Sequence, residues 1–257
     1  MLAIISDIHS NLEALSAVLA DISERDVKEI VCLGDIVGYG PDPRECLDLI
    51  MENASMTLMG NHDYAVLFEP TKFNVGAETA CFWTRQVLED EVDVSRRNRR
   101  WDYLGQLPVR HTTTNDDLGD GELSFVHGSP RRPINEYVFP EDAFSNPEKI
   151  ETLFERFERL CFIGHTHVPG VFLESTEFYT PEDLDDVFEV EPRAKALINV
   201  GSVGQPRDRD PRASYCLVEP DQVSFVRIAY DVDVVAEKVF GIAELDDYLG
   251  NRLKDGR

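Results

Sequence analysis

Positive charge is scarce in this 257-residue chain: 25 Lys and Arg stand against 49 Asp and Glu, for a formal net charge of −24. Lysine is scarcer still, with six residues against 19 arginines. A surface this acidic repels a polyanion, because DNA binding rests on neutralising phosphates; a nuclease acting on DNA is therefore disfavoured. No apolar run approaches the ~20 residues a membrane helix needs, so no membrane partner is expected. The opening "MLAIISDIHSN" has no basic n-region and is interrupted by Asp7 and His9, so it reads as a first strand and not a signal peptide. Cysteine pairing is missing too. Cys32, Cys46, Cys81, Cys161 and Cys216 are odd in number, scattered and without a CxxC. They read as reduced, buried thiols in a cytoplasmic protein.

What is present is a globular composition, 42% apolar and 29% charged, on a chain long enough to bury a full core. "LAIIS" (2–6), "EIVCL" (29–33) and "SMTLM" (55–59) read as buried strands. Between them, "NLEALSAVLADISER" (11–25) carries Leu12, Leu15, Val18, Leu19 and Ile22 at helical spacing behind a capping Ser10 or Asn11, and "RECLDLIME" (44–52) forms a second helix. This alternation implies βαβ units and a largely parallel sheet. Residues 72–106 look helical, with Trp83, Val87, Leu88, Trp101 and Leu104 inward. Beyond residue 108 short strands take over. "VRHTTT" and "GELSFVH" form an antiparallel pair across the turn-rich "NDDLGDG", with a helix over 146–160, several further strands and a last helix over 233–249. No composition break or repeat marks a boundary. The expected fold is α/β, a single domain over 1–257 with two packed mixed β-sheets flanked by helices.

The chemically able side chains are sorted along this pattern. Asp7 and His9 follow the first strand, Gly34-Asp35 the second, and Gly60-Asn61-His62-Asp63 the third. His127 ends "LSFV", and His165 and His167 follow "CFI". Five of the six histidines thus fall just past a strand's C-terminal end, where α/β sheets bind ligands. Asp7, Asp35 and Asn61 offer oxygen, and His9, His127, His165 and His167 offer nitrogen. That mixture suits Zn²⁺ or a first-row transition metal and is too nitrogen-rich for Ca²⁺. Seven ligands exceed one tetrahedral ion and suit two ions sharing a carboxylate. Two metals about 3.5–4 Å apart clamp an in-line displacement at phosphorus, with a bridging water deprotonated near neutral pH as nucleophile.

The blocks "SDIHSN", "LGDIVG", "MGNHDY", "FVHGSP" and "IGHTHVP", spread over residues 7–167, resemble in content and order the five motifs of the calcineurin-like metallophosphoesterases. The tail "NVGSVGQPRDRDPRASYCLVE" (199–219) resembles the bacterial small-phosphodiesterase branch of that superfamily. The resemblance implies an αββα sandwich and two divalent metals, manganese foremost and Fe, Zn, Ni or Mg as alternatives. It places Asp7, His9, Asp35 and His167 on one metal, Asp35 as bridge, and Asn61, His127 and His165 on the other. It makes His62 the group that protonates the leaving oxygen or steadies the transition state. The substrate it implies is a small phosphate ester, a nucleotide-like phosphodiester such as a dinucleoside polyphosphate or a cyclic nucleotide. The alternatives are a non-catalytic metal-binding scaffold of the same fold, or a phosphomonoesterase or nuclease.

One departure is local. The phosphoprotein phosphatases of the superfamily carry G-D-x-V-D-R-G, where this chain reads Gly34-Asp35-Ile36-Val37-Gly38-Tyr39-Gly40. Gly38 and Tyr39 replace the Asp that orients the catalytic His and the Arg that grips phosphate, which argues against a phosphoprotein phosphatase. Asp63 is then the candidate orienting partner of His62. Arg131, Arg132 and Arg207 are the candidate phosphate contacts, since Arg grips phosphate bidentately. The basic patch "RRNRRW" (96–101) reads as a solvated helix face, His111 as a sheet residue and "PEDLDDVFEVE" (181–191) as an exposed loop or hairpin.

Overall fold

The computed structural model describes residues 1–114, 121–192 and 194–257; the "NDDLGDG" turn falls almost wholly outside them. Two six-stranded sheets lie face to face. The first holds β1 (Leu2–Ile5), β2 (Glu29–Cys32), β3 (Met56–Thr57), β9 (Val187–Glu189), β11 (Ala213–Val218) and β12 (Gln222–Ile228), in the order β3-β2-β1-β11-β12-β9. The second holds β4 (Arg110–Thr114), β5 (Glu122–Val126), β6 (Leu160–Ile163), β7 (Gly170–Leu173), β8 (Phe178–Tyr179) and β10 (Ala196–Asn199), in the order β4-β5-β6-β10-β7-β8. Each sheet is mixed: β1, β2 and β3 run parallel, as do β5, β6 and β10, and the remaining pairings are antiparallel.

The layering follows from period-two alternation. In β1, Leu2 and Ile4 turn inward to meet Phe125, Phe162 and Ile198 of the opposite sheet. Ala3 and Ile5 turn outward, onto Leu15, Val18 and Ile22 of α1 (Leu12–Ser23) and Cys46, Leu47 and Ile50 of α2 (Pro43–Asn53). On the other flank Val126, Cys161, Ile163 and Leu197 pack against Ile150, Leu153 and Phe154 of α7 (Pro147–Phe154), which follows the short α6 (Asp142–Ser145). The result is helices, sheet, sheet, helices, the αββα order expected. α1 begins where Asn11 accepts a hydrogen bond from Ala14 N, 3.1 Å away, as the sequence indicates. All five cysteines are free and buried.

Several boundaries differ. A helix the sequence did not show, α3 (Asn61–Leu67), starts inside the GNHD block. Residues 72–106 form two helices, α4 (Val75–Glu89) and α5 (Val94–Gln106), because the Asp93 side chain caps the amides of Ser95 and Arg96 and starts a new helix. Of the inward candidates, Leu88 and Leu104 are buried, while Trp83, Val87 and Trp101 are half-buried. The helix expected over 146–160 stops at Phe154, since Phe157 and Leu160 are drawn into the sheet core. The last helix is two, α8 (Val232–Phe240) and α9 (Asp247–Asp255), parted by Gly241 and restarted by the Asp246 cap. The patch "RRNRRW" contains Arg100, which is buried and ties α5 to Asp48 and Glu91 at 2.7–2.9 Å. Arg96, Asn98 and Arg99 stay exposed, so the rest of the patch is the solvated face expected.

Candidate metal centre

The loops leaving β1 and β2 continue side by side past the sheet edge. Asp7 N donates to Gly34 O, His9 N to Asp35 O and Ser10 N to Ile36 O, all at 2.9–3.0 Å. The tail 199–207 laces onto them. Val203 N donates to Ser6 O, Gly204 N and Ser202 Oγ to Asp7 O, and Asn11 Nδ2 to Gly204 O. Asp7, His9, Asp35, His165 and His167 all adopt left-handed backbone, with φ between +49° and +66°. Such conformations are costly for side-chain-bearing residues and collect at functional sites. Gly60 is required beside them: a Cβ there would lie 2.1 Å from Asp35 Oδ1 and 2.3 Å from Asp35 N.

These loops bring all seven ligand candidates together at one buried spot. His9 Nε2 lies 3.1 Å from His167 Nε2, and Asp7 Oδ1 lies 3.3 Å from His167 Nε2 and 3.8 Å from His9 Nε2. On the other side His127 Nε2 lies 3.1 Å from Asn61 Oδ1, 3.2 Å from His165 Nδ1 and 3.3 Å from Asp35 Oδ2. Asp35 Oδ2 also lies 3.7 Å from His9 Nε2, so a single oxygen faces both halves. Its partner Oδ1 is occupied by the His62 amide at 2.7 Å.

The hydrogen bonds behind these atoms fix which lone pairs face inward. His9 Nδ1 sits 3.3 Å from Val37 O and His167 Nδ1 2.6 Å from Gln205 O. A carbonyl only accepts, so each Nδ1 carries the proton and each Nε2 presents a lone pair. Burial holds both imidazoles below their usual range, His9 strongly so, and keeps them neutral. Two bare nitrogen lone pairs therefore face each other at 3.1 Å, and buried Asp7 Oδ1 has no hydrogen-bond donor. That arrangement is repulsive by itself and becomes favourable around a cation. Burial opposes charge on His127, yet Asp35 and Asp7 outweigh it and lift the imidazole to about 9. Burial likewise pushes Asp7 and Asp35 upward, but the neighbouring imidazoles prevail and leave both carboxyls below their usual range.

His62 forms a third such group with His9 and Asp35, and borders a cavity of about 340 Å³. Its ring is packed by Tyr39 at 4.3 Å, His9 at 4.8 Å and Phe73 at 4.8 Å between centroids. Asp63 does not touch this ring. Its carboxylate accepts the amides of Asp35, Ile36, Val37 and Gly60 at 2.7–3.3 Å, so the expectation that it orients His62 is corrected: it holds the Gly34-Asp35 loop. Burial and the Asp35 charge push its carboxyl up to about 7, against the pull of those amides. Of the three candidate arginines, Arg132 lines the cavity, and Arg207 lies over the Tyr39 ring at 5.9 Å with its amide on His167 O. Arg131 is held bidentately by Glu136. The connection between α3 and α4 brings Lys72, Phe73 and Asn74 to the cavity, and the segment between β5 and α6 brings Asn135 and Tyr137. None of these was singled out from the sequence, where no motif or spacing marks them. His111 stacks on Phe125 within the sheet.

Mixed carboxylate, amide and imidazole donors at the rim of an αββα sandwich define the class of metal-dependent phosphoesterases. Residues 1–222 match the calcineurin-like phosphoesterase superfamily domain. The chain is 38% identical to a metallophosphoesterase from Sphaerobacter thermophilus of known structure, covering 100% of this chain and 98% of that one with a TM-score of 0.79. It is also 38% identical over 269 residues to an uncharacterized protein of Methanocaldococcus jannaschii, covering 100% and 98% of the two chains. A hypothetical protein of Pyrococcus horikoshii, 19% identical with coverage of 100% and 99%, shares the fold with a TM-score of 0.76. This chain belongs to the calcineurin-like phosphoesterase superfamily and is a metal-dependent phosphoesterase hydrolase. No helix among the described residues is long and apolar enough to cross a membrane.

Proposed function

We propose that this single-domain chain is a cytoplasmic phosphodiesterase acting on small nucleotide-like substrates such as dinucleoside polyphosphates or cyclic nucleotides. Asp7, His9, Asp35 and His167 would hold one divalent ion, and Asp35, Asn61, His127 and His165 a second. The observation that carries this reading is the pair of inward lone pairs on His9 and His167 beside the unpartnered Asp7 Oδ1. Manganese fits the O/N donor mixture, with cellular supply deciding among Mn, Fe, Zn, Ni and Mg. Bound, the two ions supply an activated water at neutral pH and neutralise charge on the phosphoryl oxygens.

The protein's own groups do the rest. Asp35 turns one carboxylate oxygen toward both His9 and His127, where it would bridge the two ions, while its other oxygen pins the start of α3. Arg132 and Lys72 offer positive charge to phosphate in an otherwise acidic chain. Phe73 offers an aromatic surface suited to a base, Tyr137 stacks on the His165 ring with centroids 3.8 Å apart, and Asn74 and Asn135 offer amides that can read a base edge. Burial holds the His62 imidazole down to about 4, so at the cavity wall it is a neutral hydrogen-bond donor for charge on a phosphoryl or leaving oxygen.

Protein stripped with a chelator is expected to be inactive and to regain hydrolysis of a nucleotide panel with Mn²⁺. Fewer than one ion per chain together with inactivity across the panel would refute the reading. His62→Ala is expected to keep two ions per chain by elemental analysis while turnover of bis(4-nitrophenyl) phosphate drops about 10²–10³-fold, the usual weight of a hydrogen-bond donor aimed at transition-state charge. A variant as fast as the parent removes His62 from the chemistry. Arg132→Ala and Arg207→Ala are each expected to raise KM about 5–30-fold, the worth of a 1–2 kcal/mol charge-assisted contact, with kcat within about threefold. An unchanged KM in both variants would move phosphate recognition elsewhere.

A further inference from the structure

We propose that Cys81 of α4 is the positioning residue of His62: its thiol donates to Nδ1 and thereby fixes the tautomer that turns Nε2–H toward the cleft. This inference rests on the role assigned to His62 above and adds the group that acts through it.

The geometry is specific. Cys81 Sγ lies 3.6 Å from His62 Nδ1, with both residues buried. The other near neighbour of Nδ1 is Gly38, where a Cβ would fall 2.4 Å from that nitrogen. So the loop that carries an orienting Asp in the phosphoprotein phosphatases is filled here by the imidazole itself, and the partner comes from a different element. Of the carboxylates nearby, Asp63 is spent on four backbone amides, and Asp35 gives one oxygen to the His62 amide and turns the other toward His127 and His9.

The direction of the bond follows from the chemistry of the pair. A thiol sulfur is a weak acceptor, whereas an imidazole nitrogen is a good one, so S–H to Nδ1 is the better arrangement. Burial, followed by the Asp35 charge, pushes the Cys81 thiol up to about 12, so it keeps its proton. Nε2 then carries the ring hydrogen. A carboxylate at this place would demand the hydrogen on Nδ1 instead, and would favour a doubly protonated ring. Tyr39 and Phe73 pack the ring at 4.3 and 4.8 Å and limit its rotation. They cannot select a tautomer, because neither presents a polar atom to Nδ1 in these contacts.

The test uses the full-length, Mn²⁺-loaded protein and the variants Cys81→Ala, Cys81→Ser, His62→Ala and His62→Ala/Cys81→Ala. Cys81→Ala is expected to lower kcat about 10–100-fold, the usual cost of losing a partner behind a functional group. KM and metal content should stay near the parent's. Cys81→Ser, which keeps a donor, should recover most of the loss. The double variant should be no slower than His62→Ala alone, because Cys81 acts only through that ring. Nitrogen NMR of histidine-labelled, metal-free protein should show His62 with hydrogen on Nε2 in the parent and in Cys81→Ser, and a mixed population in Cys81→Ala. An Nδ1–H tautomer in the parent overturns the proposal even if the alanine variant fails to fold. A Cys81→Ala loss of equal size with and without His62 also overturns it and leaves the role of His62 standing. If His62→Ala itself is fully active, the reading beneath the proposal falls first.

Discussion

Replacing Asp35 by Asn is expected to reduce bound metal from two ions per chain to at most one and to cut phosphodiester turnover by more than about 10³-fold. The substitution keeps the shape of the side chain. It also keeps an oxygen for the His62 amide, which now donates to Asp35 Oδ1 at 2.7 Å. What it removes is the charge on Oδ2, which lies 3.3 Å from His127 Nε2 and 3.7 Å from His9 Nε2. In its place an NH₂ group would face two imidazoles. Losing a group behind a ligand costs about 10–100-fold, so losing a carboxylate proposed to bridge both ions is expected to cost more. Elemental analysis after gel filtration and a bis(4-nitrophenyl) phosphate assay read both effects. A variant that holds two ions and stays within tenfold of the parent would remove Asp35 from the bridging position.

The largest effect on stability is expected at Asp63. Its carboxylate takes hydrogen bonds from four amides, those of Asp35, Ile36, Val37 and Gly60. An alanine there leaves four buried donors without partners, each costing about 1–3 kcal/mol if nothing replaces the bond. Water entering the space and relief from burying a carboxyl offset part of this, leaving about 4 kcal/mol. For a chain of this size that is a fall in Tm of roughly 8–16 °C by calorimetry. Asp63→Asn keeps one carbonyl oxygen and should lose about half as much. A Tm within 2–3 °C of the parent for the alanine variant, the shift of about 1 kcal/mol, would mean that the loop is held by other contacts.

Much of the site was legible because its residues recur at strand ends, a pattern that survives without coordinates. Asp7, His9, Asp35, His127, His165 and His167 each follow a strand whose apolar run is plain in the sequence, and parallel pairing of β1, β2 and β3 brings their ends together. Roles decided by direction were not legible. Asp63 stands next to His62 in sequence, but on α3 the two side chains point apart: the carboxylate turns under the Gly34-Asp35 loop and the ring toward the cleft. Cys81 read as one more buried thiol, since no spacing rule links a cysteine on one helix to a histidine on another. Helix limits failed where apolar residues serve a neighbouring element, as Phe157 does beyond α7. They failed again where one acidic cap restarts a helix, as at Asp93 and Asp246.

The position of β1 between β2 and β11 governs the order of events during synthesis. Leu2 pairs with Val218, and the backbone of Gln205 steadies the His167 ring. A ribosome-bound chain that has already displayed Asp7, Asp35 and Asn61 still lacks the strand that flanks β1 and the carbonyl that sets His167. Contacts so distant along the chain form slowly, because the intervening loop must close before it is rewarded. Until residues 205–218 have been made, the spot around Asp7 therefore lacks the groups that complete it, and the early segments cannot settle into the arrangement seen in the fold.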